Sequence, residues 1–495
     1  MYISTRGGND SFSAAAAIKT GMAPDGGLLV PEVVPCLEKT FLDKLVGLDY
    51  HQRAAEILKL FLDDYSASEI ESCLKAAYNS KKFDHAAIAP VVSLSEGVSV
   101  LELWHGPTSA FKDMALQLLP QLLSLALKKT GETDQIAILV ATSGDTGKAA
   151  LEGFRDVDQT QIVVFYPYLG VSKIQELQMV TQEGKNVTVA AVKGNFDDTQ
   201  TGVKTIFNDL QYGKELERHG VKLSSANSIN WGRLLPQIVY YFSAYADMVK
   251  TGRIRQGQAL NFVVPTGNFG NILAGYYAKL MGLPVHKLIC AANNNNVLTE
   301  FLRTGVYNRE RDFYKTLSPS MDILISSNLE RLLYLVTGDS TKVSCWMREL
   351  SGKGQYQVDA ECLAAIQQSF WSDWVSDDIT LKTIQRVFKQ YNYVMDPHTA
   401  VAWKAYENYQ EETGDTTQTV VVSTASPFKF SDSVLDAVGG QASKEKNEFD
   451  VLRELAALTD WAIPAPLANL ENKKIRHTTV GNKEDMPNLV KQAVI

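Results

Sequence analysis

The chain contains 495 residues, 45% of them hydrophobic and 21% charged, which is an ordinary composition for a globular protein. This length predicts about two to four domains. The formal charge is −8, from 48 basic and 56 acidic residues. Such a balance argues against broad binding to nucleic acid or to an anionic membrane, although a local basic pocket could still hold a small anion.

Neither the cysteines nor the histidines have the spacing of a disulfide framework or a metal site. The five cysteines are scattered and include no Cys-x-x-Cys pair, which is typical of reduced thiols in the cytosol. The seven histidines lie far apart, so we expect no metal. The first residues contain no apolar core of signal-peptide length, and no stretch of 18 apolar residues follows. We therefore expect a cytoplasmic protein without a transmembrane helix.

The first hundred residues are predicted to be helical over 41–78 and extended over 89–104. After a strand at 98–104, the polar turn Gly-Pro-Thr-Ser leads into a helix that begins near Ala110 or Phe111. This helix carries a lysine in its first turn.

Lys112 is the candidate for chemistry in this segment. Phe111 and Met114 could partly desolvate its amine, and desolvation lowers the pKa of a lysine towards that of a nucleophilic, proton-transferring group. The alternative is a solvated lysine, which is the more common state at any single position.

Two later regions alternate buried strands with helices of about 10 to 15 residues, a rhythm that predicts parallel sheets covered on both faces. The chain is therefore predicted to be of the α/β class. Residues 295–420 are expected to be mostly helical, and the last 60 residues to form a peripheral helical tail. The predicted strands are 136–141, 161–167 and 186–194 in the first region, 260–264 and 287–292 in the second, and a late strand at 419–424 that returns to the sheet.

The loop PTGNFGN, residues 265–271, joins a buried strand to a helix start, where ligands of open α/β sheets gather. Gly267 and Gly270 let the backbone approach a ligand, and free N–H groups at the helix start favour an anion such as a phosphate. The loop lacks the GxxxxGK[ST] order of a nucleotide P-loop, so a fixed monophosphate fits better. The alternative is a tight turn whose glycines serve packing alone.

The loop SGDTG, residues 143–147, has the same construction on another strand. Hydroxyls from Ser143 and Thr146 add to its backbone donors, so the loop could hold a carboxylate or phosphate. Asp145 suits anion binding only if it accepts from a protonated or hydroxyl partner, and it could instead cap the following helix.

A third polar cluster lies in residues 224–237. Asn227, Ser228 and Asn230 precede Arg233, which could reach back to the loop from one to two turns into a helix. A guanidinium with amide and hydroxyl donors is the composition expected for phosphate recognition. In isolation the same residues could be a polar helix start with a surface arginine.

Taken in order, these segments resemble the threonine synthase family in its long form, a fold-type II enzyme family that depends on pyridoxal 5'-phosphate. The resemblance extends over most of the chain, and the combination is more specific than any single motif. The motifs that carry it are STRGG (4–8), APDGGLLVPE (23–32), HGPTSAFKD (105–113), ATSGDTGKAA (141–150), NSINWGR (227–233), PTGNFGN (265–271), DPHTAVA (396–402) and STASPFKF (423–430).

The resemblance implies two open parallel-sheet α/β domains with the active site between them, and an N-terminal accessory region. It also implies a role for each motif. The expected units are an accessory domain at 1–95, a domain with the lysine and the SGDTG loop at 96–215, a domain with the cofactor-phosphate loop at 216–435, and a helical tail at 436–495. For the cofactor, the resemblance implies that Lys112 forms the Schiff base, that Thr424 faces the pyridine nitrogen, and that the phosphate is bound by Gly267, Asn268, Phe269, Gly270 and Asn271. For the substrate, it implies that the α-carboxylate is bound by Ser143, Gly144, Asp145 and Thr146. It implies that the substrate phosphate is bound by Asn227, Ser228, Asn230 and Arg233.

Two departures from the family pattern stand out. Many relatives have an acidic residue in the segment that is Asn294–Asn296 here, so the role of that acid is in question. Ser426 replaces a histidine found in some members, a change we expect to be tolerated.

The implied reaction converts O-phospho-L-homoserine and water into L-threonine and inorganic phosphate, with no nucleic-acid or membrane partner, in a monomer or homodimer. A serine or threonine dehydratase or a cysteine synthase-like enzyme would share the lysine and the glycine loop but would need no second phosphate pocket. A phospho-lyase that makes no threonine, and a non-catalytic ligand-binding homologue, are the further alternatives.

Overall fold

The computed structural model describes residues 1–142, 144–442 and 446–495. Its strands are β1 (Tyr2–Ser4), β2 (Leu29–Pro31), β3 (Val91–Ser93), β4 (Val98–Glu102), β5 (Gln135–Ala141), β6 (Thr160–Pro167), β7 (Val187–Val192), β8 (Val221–Ser224), β9 (Leu260–Pro265), β10 (Val285–Ala292), β11 (Val306–Asn308), β12 (Gln355–Gln357), β13 (Phe370–Trp374), β14 (Thr419–Ser423) and β15 (Thr479–Gly481).

Helices connect and cover these strands. They are α1 (Ala14–Thr20), α2 (Lys39–Val46), α3 (Tyr50–Leu58), α4 (Ala67–Ala77), α5 (Lys112–Leu116), α6 (Leu119–Lys129), α7 (Asp145–Phe154), α8 (Lys173–Val180), α9 (Phe196–Asn208), α10 (Leu210–Arg218), α11 (Trp231–Lys250), α12 (Gly270–Leu280), α13 (Val297–Thr304), α14 (Leu329–Thr337), α15 (Ser340–Lys353), α16 (Ala360–Ser369), α17 (Asp377–Tyr391), α18 (Pro397–Thr413), α19 (Ser431–Val438), α20 (Glu448–Thr459), α21 (Ala465–Ala468) and α22 (Met486–Val494).

The larger sheet has the strand order β13-β10-β9-β14-β4-β3. All its pairs are parallel except β3 with β4, which form an antiparallel edge. Val421 of β14 pairs with Val100 of β4 on one side and with Val263 of β9 on the other. The predicted late strand is therefore confirmed, and it sits in the middle of the sheet.

The smaller sheet has the order β15-β7-β6-β5-β8 and is parallel throughout. The helices α7, α9 and α22 pack on β6. Under this sheet Leu139 and Phe165 form an apolar cluster with Met486 and Val490 of α22. The edge strand β15 lies in the segment that its sequence pattern predicted to be helical.

These two sheets confirm the α/β class. The predicted helices in residues 41–78 are also confirmed as α2, α3 and α4. Most side chains of the long helix α11 are buried, because it packs against α3, α5 and α12 at once. Across residues 1–142, 144–442 and 446–495, no helix is both long enough and apolar enough to span a bilayer.

Candidate active site

The candidate residues gather where strands of both sheets end. The lysine segment follows β4, SGDTG follows β5, the NSINWGR segment follows β8, PTGNFGN follows β9 and Thr424 follows β14. In open α/β sheets this carboxyl edge is where ligands bind, because loops and helix N-termini converge there.

Lys112 is the first residue of α5, and its side chain is 11% exposed. Its Nζ lies 3.4 Å from Oγ of Ser320, 3.9 Å from Oδ2 of Asp145 and 5.2 Å from the ring centre of Phe111. Burial lowers the pKa of Lys112 to about 8, although the Asp145 carboxylate partly opposes this. The amine is thus desolvated rather than solvated.

The turn before Lys112 is tied to the end of β14. The N–H of Phe111 donates to the carbonyl of Thr424 at 2.8 Å, and the N–H of Ser426 donates to the carbonyl of Ser109 at 3.1 Å. Ser109 has a φ of +57°, a left-handed conformation that costs energy for a residue other than glycine. Thr424 is buried beside the lysine segment, directly after β14.

In the SGDTG loop, Ser143 lies outside the described residues. Gly144 has a φ of +140°, and a Cβ there would clash with the side-chain amide nitrogen of Gln175. The hydroxyl of Thr142 accepts from the N–H groups of Gly144 and Gly147, at 3.0 and 2.9 Å. The Thr142 hydroxyl therefore fixes the backbone conformation of this loop. The side chain of Thr146 is half-buried.

Asp145 points towards two ammonium groups. Its Oδ1 lies 2.6 Å from Nζ of Lys429, and both side chains are buried. Burial alone would raise the pKa of Asp145, but Lys429 and Lys112 outweigh it and hold that pKa below its usual range. The protonated partner that this carboxylate needs is Lys429. It lies in the STASPFKF motif, but the sequence offers no local signal that it meets Asp145.

The PTGNFGN loop turns sharply from β9 into α12. Gly267 has no room for a side chain, because a Cβ would lie 2.7 Å from the carbonyl oxygen of Ser320. Phe269 has a φ of +62° directly before the helix. The first turn of a helix leaves N–H groups without helical partners, so Gly270 and Asn271 present donors to the site.

The side chain of Asn271 supports this loop from inside. Its Oδ1 accepts from the hydroxyls of Tyr240 and Tyr241, at 2.7 and 2.8 Å. Its Nδ2 is buried and has no hydrogen-bond partner among the described residues. A buried donor of this kind fits a ligand acceptor.

Arg233 is buried rather than on the surface, with 5% of its area exposed. Its Nη1 donates to the carbonyl of Ala226 at 2.8 Å, and its Nε has no acceptor among the described residues. Burial lowers the pKa of Arg233 to about 10, and no carboxylate of the described chain forms an ion pair with it. A desolvated guanidinium without a counter-ion is a site for an anion.

The other polar residues of the NSINWGR segment differ in whether their side chains are free to bind a ligand. Asn230 caps α11 by accepting from Gly232 N–H at 2.8 Å and donates to the carbonyl of Ile18 at 2.9 Å, so its amide is engaged. The side chain of Asn227 is exposed, and Ser228 Oγ donates to it at 3.3 Å. Ser228 and Asn227 are therefore the freer groups.

Asn328, which the motifs did not include, joins two of these loops. Its Nδ2 donates to the carbonyl of Asn268 at 2.9 Å and lies 3.4 Å from Oγ of Ser228. The cofactor-phosphate loop and the NSINWGR segment therefore share one buried amide. Only a fold that brings α14 to this edge makes that contact.

The asparagine run still has a carboxylate at its side. Asn293 and Asn295 both donate to Oδ1 of Asp322, at 2.8 and 2.9 Å. Asp322 also accepts from the hydroxyl of Thr316 at 2.7 Å. An acid supplied by a later segment thus lies where the run departs from the family pattern.

The DPHTAVA motif supports Lys112 indirectly. His398 and Asp396 are buried, with 2.6 Å between Nδ1 and Oδ2, and Nε2 of His398 accepts from the N–H of Ser320 at 3.1 Å. Ser320 in turn contacts Lys112 and Gly267. The dyad therefore orients the turn at Pro319–Met321 that separates the lysine from the phosphate loop.

Charge at this edge is predominantly positive. Lys112 and Lys429 both face the Asp145 carboxylate, and the charge of Arg233 is close enough to lower the pKa of Lys112. The arrangement can hold a multiply charged anion beside an amine that exchanges a proton near neutral pH.

Comparison with known proteins identifies the family. The model of the threonine synthase N terminus matches residues 1–78, and that of the threonine synthase C-terminal region matches residues 399–494. Threonine synthase-like 1 of Homo sapiens is 41% identical over 443 residues, which are 87% of this chain and 58% of that protein. The chain therefore spans less than two thirds of that relative's length.

Two further comparisons cover nearly the whole of both proteins. Threonine synthase of Pseudomonas aeruginosa is 39% identical over 484 residues, 97% of this chain and 96% of the relative. The crystal structure of threonine synthase from Brucella melitensis with bound PLP superposes with a TM-score of 0.89 at 37% identity, covering 100% of this chain and 99% of that chain. With its motifs, its fold and its full-length relatives in agreement, this chain belongs to the threonine synthase family.

Proposed function

We propose that this protein converts O-phospho-L-homoserine and water into L-threonine and inorganic phosphate. The observation that carries the proposal is Arg233, a buried guanidinium without a carboxylate partner in the described chain, close enough to Lys112 for its charge to act on the amine. A substrate with its own phosphate supplies the missing counter-ion. A dehydratase or a cysteine synthase-like enzyme would leave Arg233 buried without a partner.

The site also fits pyridoxal 5'-phosphate, which the relative from Brucella melitensis holds. The N–H groups from Gly267 to Asn271 would hold its phosphate, Lys112 its aldehyde carbon and Thr424 its pyridine nitrogen. The fit rests on the tight turn at Gly267, where a Cβ would lie 2.7 Å from the carbonyl oxygen of Ser320, and on Nδ2 of Asn271, which has no partner among the described residues. Bound there, the cofactor supplies an electron sink for negative charge at the substrate α-carbon.

Lys112 moves protons at the substrate carbons. Because its pKa lies near 8, both the amine and the ammonium form are populated close to neutral pH. The amine can therefore take a proton from the α-carbon and then the β-carbon, and the ammonium form can return one. Asp145 faces the ammonium form from 3.9 Å.

Arg233 stabilises the phosphate as it leaves the γ-carbon. Three groups can donate hydrogen bonds to this phosphate: the unpartnered Nε–H of the Arg233 guanidinium, the hydroxyl of Ser228 and the side-chain amide of Asn227. Each donor aimed at developing negative charge contributes about 2 to 4 kcal/mol. We assign the substrate α-carboxylate to the loop that contains Gly144 and Thr146, at the start of α7.

The test is the reaction of the purified protein with O-phospho-L-homoserine, followed by assays of phosphate and L-threonine. We expect equal amounts of both from the wild type and neither from Lys112→Ala. Phosphate with ammonia and 2-oxobutyrate, but without threonine, would identify a phospho-lyase and contradict the proposal. No phosphate, with no cofactor trapped on Lys112 by borohydride, would identify a non-catalytic binding protein.

We further propose that the protein acts in the cytoplasm as a monomer or homodimer. Sedimentation at micromolar concentration distinguishes the two states, and a larger assembly would contradict both.

A further inference from the structure

We propose that Lys429 is a positioning residue of the reaction, which holds the Asp145 carboxylate beside Lys112 as the counter-ion of the lysine's ammonium form. This inference rests on the proposed function, in which Lys112 moves protons at the substrate.

The two carboxylate oxygens of Asp145 face different cations. Oδ1 lies 2.6 Å from Nζ of Lys429, while Oδ2 lies 3.9 Å from Nζ of Lys112. Lys429 also donates to the carbonyl of Thr108 at 3.0 Å, so its ammonium is anchored to the turn that leads to Lys112. The side chain of Lys429 is fully buried, in the turn Pro427–Phe430 after β14.

Burial makes Lys429 necessary for this arrangement. A carboxyl group taken out of water favours its neutral form, and a neutral Asp145 could not balance an ammonium group. The ammonium groups that face Asp145 are those of Lys429, at 2.6 Å, and Lys112, at 3.9 Å. Of these, Lys429 makes the shortest contact and does not itself react.

Proton transfer changes the charge that Asp145 must balance. When a proton moves from a substrate carbon to Nζ of Lys112, the site gains a cation next to Arg233 and Lys429. The ionised Asp145 offsets this cation until the proton returns. Lys429 forms no bond to the substrate.

The test compares Lys429→Met and Lys429→Arg with a matched control. Lys148 is also a buried lysine at α7, paired with Glu152 at 3.2 Å, and Lys148→Met removes a similar charge. We expect Lys429→Met to lower kcat about tenfold or more with KM changed less than about twofold, and Lys429→Arg to restore most of kcat. Lys148→Met should leave kcat within about twofold of the wild type.

A second readout uses the protein without cofactor. Infrared difference spectra between each protein and its Asp145→Asn counterpart report whether Asp145 is protonated. We expect no protonated carboxyl band at pH 7 in the wild type and a clear band in Lys429→Met. If Lys429→Met does not fold, Lys429→Gln serves the same comparison.

An ionised Asp145 in Lys429→Met, or in Lys429→Gln if that variant replaces it, would overturn the inference. An equal loss of kcat in Lys148→Met would also overturn it, because it would show a merely structural role. Failure of the wild type to make threonine would instead contradict the proposed function, and the infrared comparison would still decide the role of Lys429.

Discussion

The side-chain oxygen of Asn328 accepts a hydrogen bond from Nη1 of Arg331 at 2.7 Å, and this contact orients the amide that joins two loops of the site. Arg331 is fully buried and also donates to the carbonyls of Leu29 and Ile229, at 2.9 and 2.6 Å through Nη2. The N-terminal segment, the cofactor-phosphate loop and the substrate-phosphate loop therefore meet in one network. Its two central members, Asn328 and Arg331, depend on each other because both are fully buried.

Asn328→Ala should weaken cofactor binding and lower stability together. The substitution leaves Nη1 of Arg331 without its acceptor and removes one of two donors to the carbonyl of Asn268, which keeps the backbone N–H of residue 328 at 3.1 Å. A buried donor left without its acceptor costs about 1 to 3 kcal/mol. We expect the free energy of unfolding in urea to fall by that amount and the affinity for pyridoxal phosphate, measured by its absorption after dialysis, to fall about tenfold.

Asn186 provides the control for Asn328. Its buried amide donates to the carbonyls of Phe154 and Thr160, at 2.8 and 3.1 Å, away from the site. Asn186→Ala should lose similar stability and keep its cofactor affinity. Equal loss of affinity in both variants would contradict a specific role for Asn328.

Arg233→Met should weaken substrate binding without lowering the stability of the protein. Loss of a charged hydrogen-bond donor to the substrate phosphate should raise KM for O-phospho-L-homoserine about tenfold to a hundredfold. The free energy of unfolding should not fall, because an unpaired buried charge is replaced by an apolar chain. Inorganic phosphate should raise the Tm of the wild type but not that of the variant.

Arg53 is the matched arginine. It is also buried, but its Nη1 lies 2.7 Å from Oδ1 of Asp247. Arg53→Met should lose about 3 kcal/mol of stability because it breaks an ion pair. If Arg233→Met were destabilised as much as Arg53→Met, the claim that no carboxylate of the described chain pairs with Arg233 would be contradicted.

Lys112 should react with amine reagents at an unusually low pH. Burial lowers its pKa to about 8, so its reactive neutral form appears as the pH rises through about 8. Competitive labelling of the cofactor-free protein, read by mass spectrometry, should give a midpoint near pH 8. Asp145→Asn should shift this midpoint lower, because the carboxylate raises the pKa of Lys112. An unchanged midpoint would argue against their contact.

His105, which has no assigned role in the candidate active site, should make the free energy of unfolding depend on pH. Burial opposes its charged form, but hydrogen bonds to Asp84 and Glu102, at 2.7 and 2.9 Å, outweigh burial and raise the pKa of His105 to about 9. A raised pKa in the folded state gives stability that is complete below about 6.5 and is lost as pH rises through about 9.

Urea unfolding between pH 6 and pH 9.5 measures this contribution. We expect roughly 2 kcal/mol to be lost over that range in the wild type, since Asp84 is partly exposed and screened by solvent. His105→Gln should show a much flatter profile. If the free energy of unfolding of His105→Gln fell with pH as steeply as that of the wild type, another group would be responsible for the pH dependence.

The local pattern of the chain was sufficient to predict most elements. Apolar runs bounded by Gly-rich turns predicted β5, β6, β7, β9 and β10 within a few residues, because burial on both faces of a parallel sheet needs continuous apolar side chains. The helix predicted to begin near Ala110 or Phe111 begins one or two residues later, at Lys112. The strand β15 was missed, because three residues at a sheet edge leave no periodic pattern to detect.

The residues of the candidate site likewise fall into those that local sequence predicts and those that it does not. Lys112, the glycines of PTGNFGN and Arg233 stand in recognisable local contexts, which is why sequence reasoning could name them. Lys429, Asn328 and Asp322 could not be named, because each acts on residues tens to hundreds of positions away. Their partners are decided by which helices and turns the sheets bring together.

The sequence by itself determined the α/β class, the order of the anion-binding loops and the lysine at a helix start, since each depends on side chains within about ten residues of one another. The tertiary structure decided that β4 lies beside β14, more than 300 residues later, and that Lys429 meets Asp145. Burial then decided the charge states, because the pKa of Lys112 depends on the water that packing excludes and on the ions that packing places nearby.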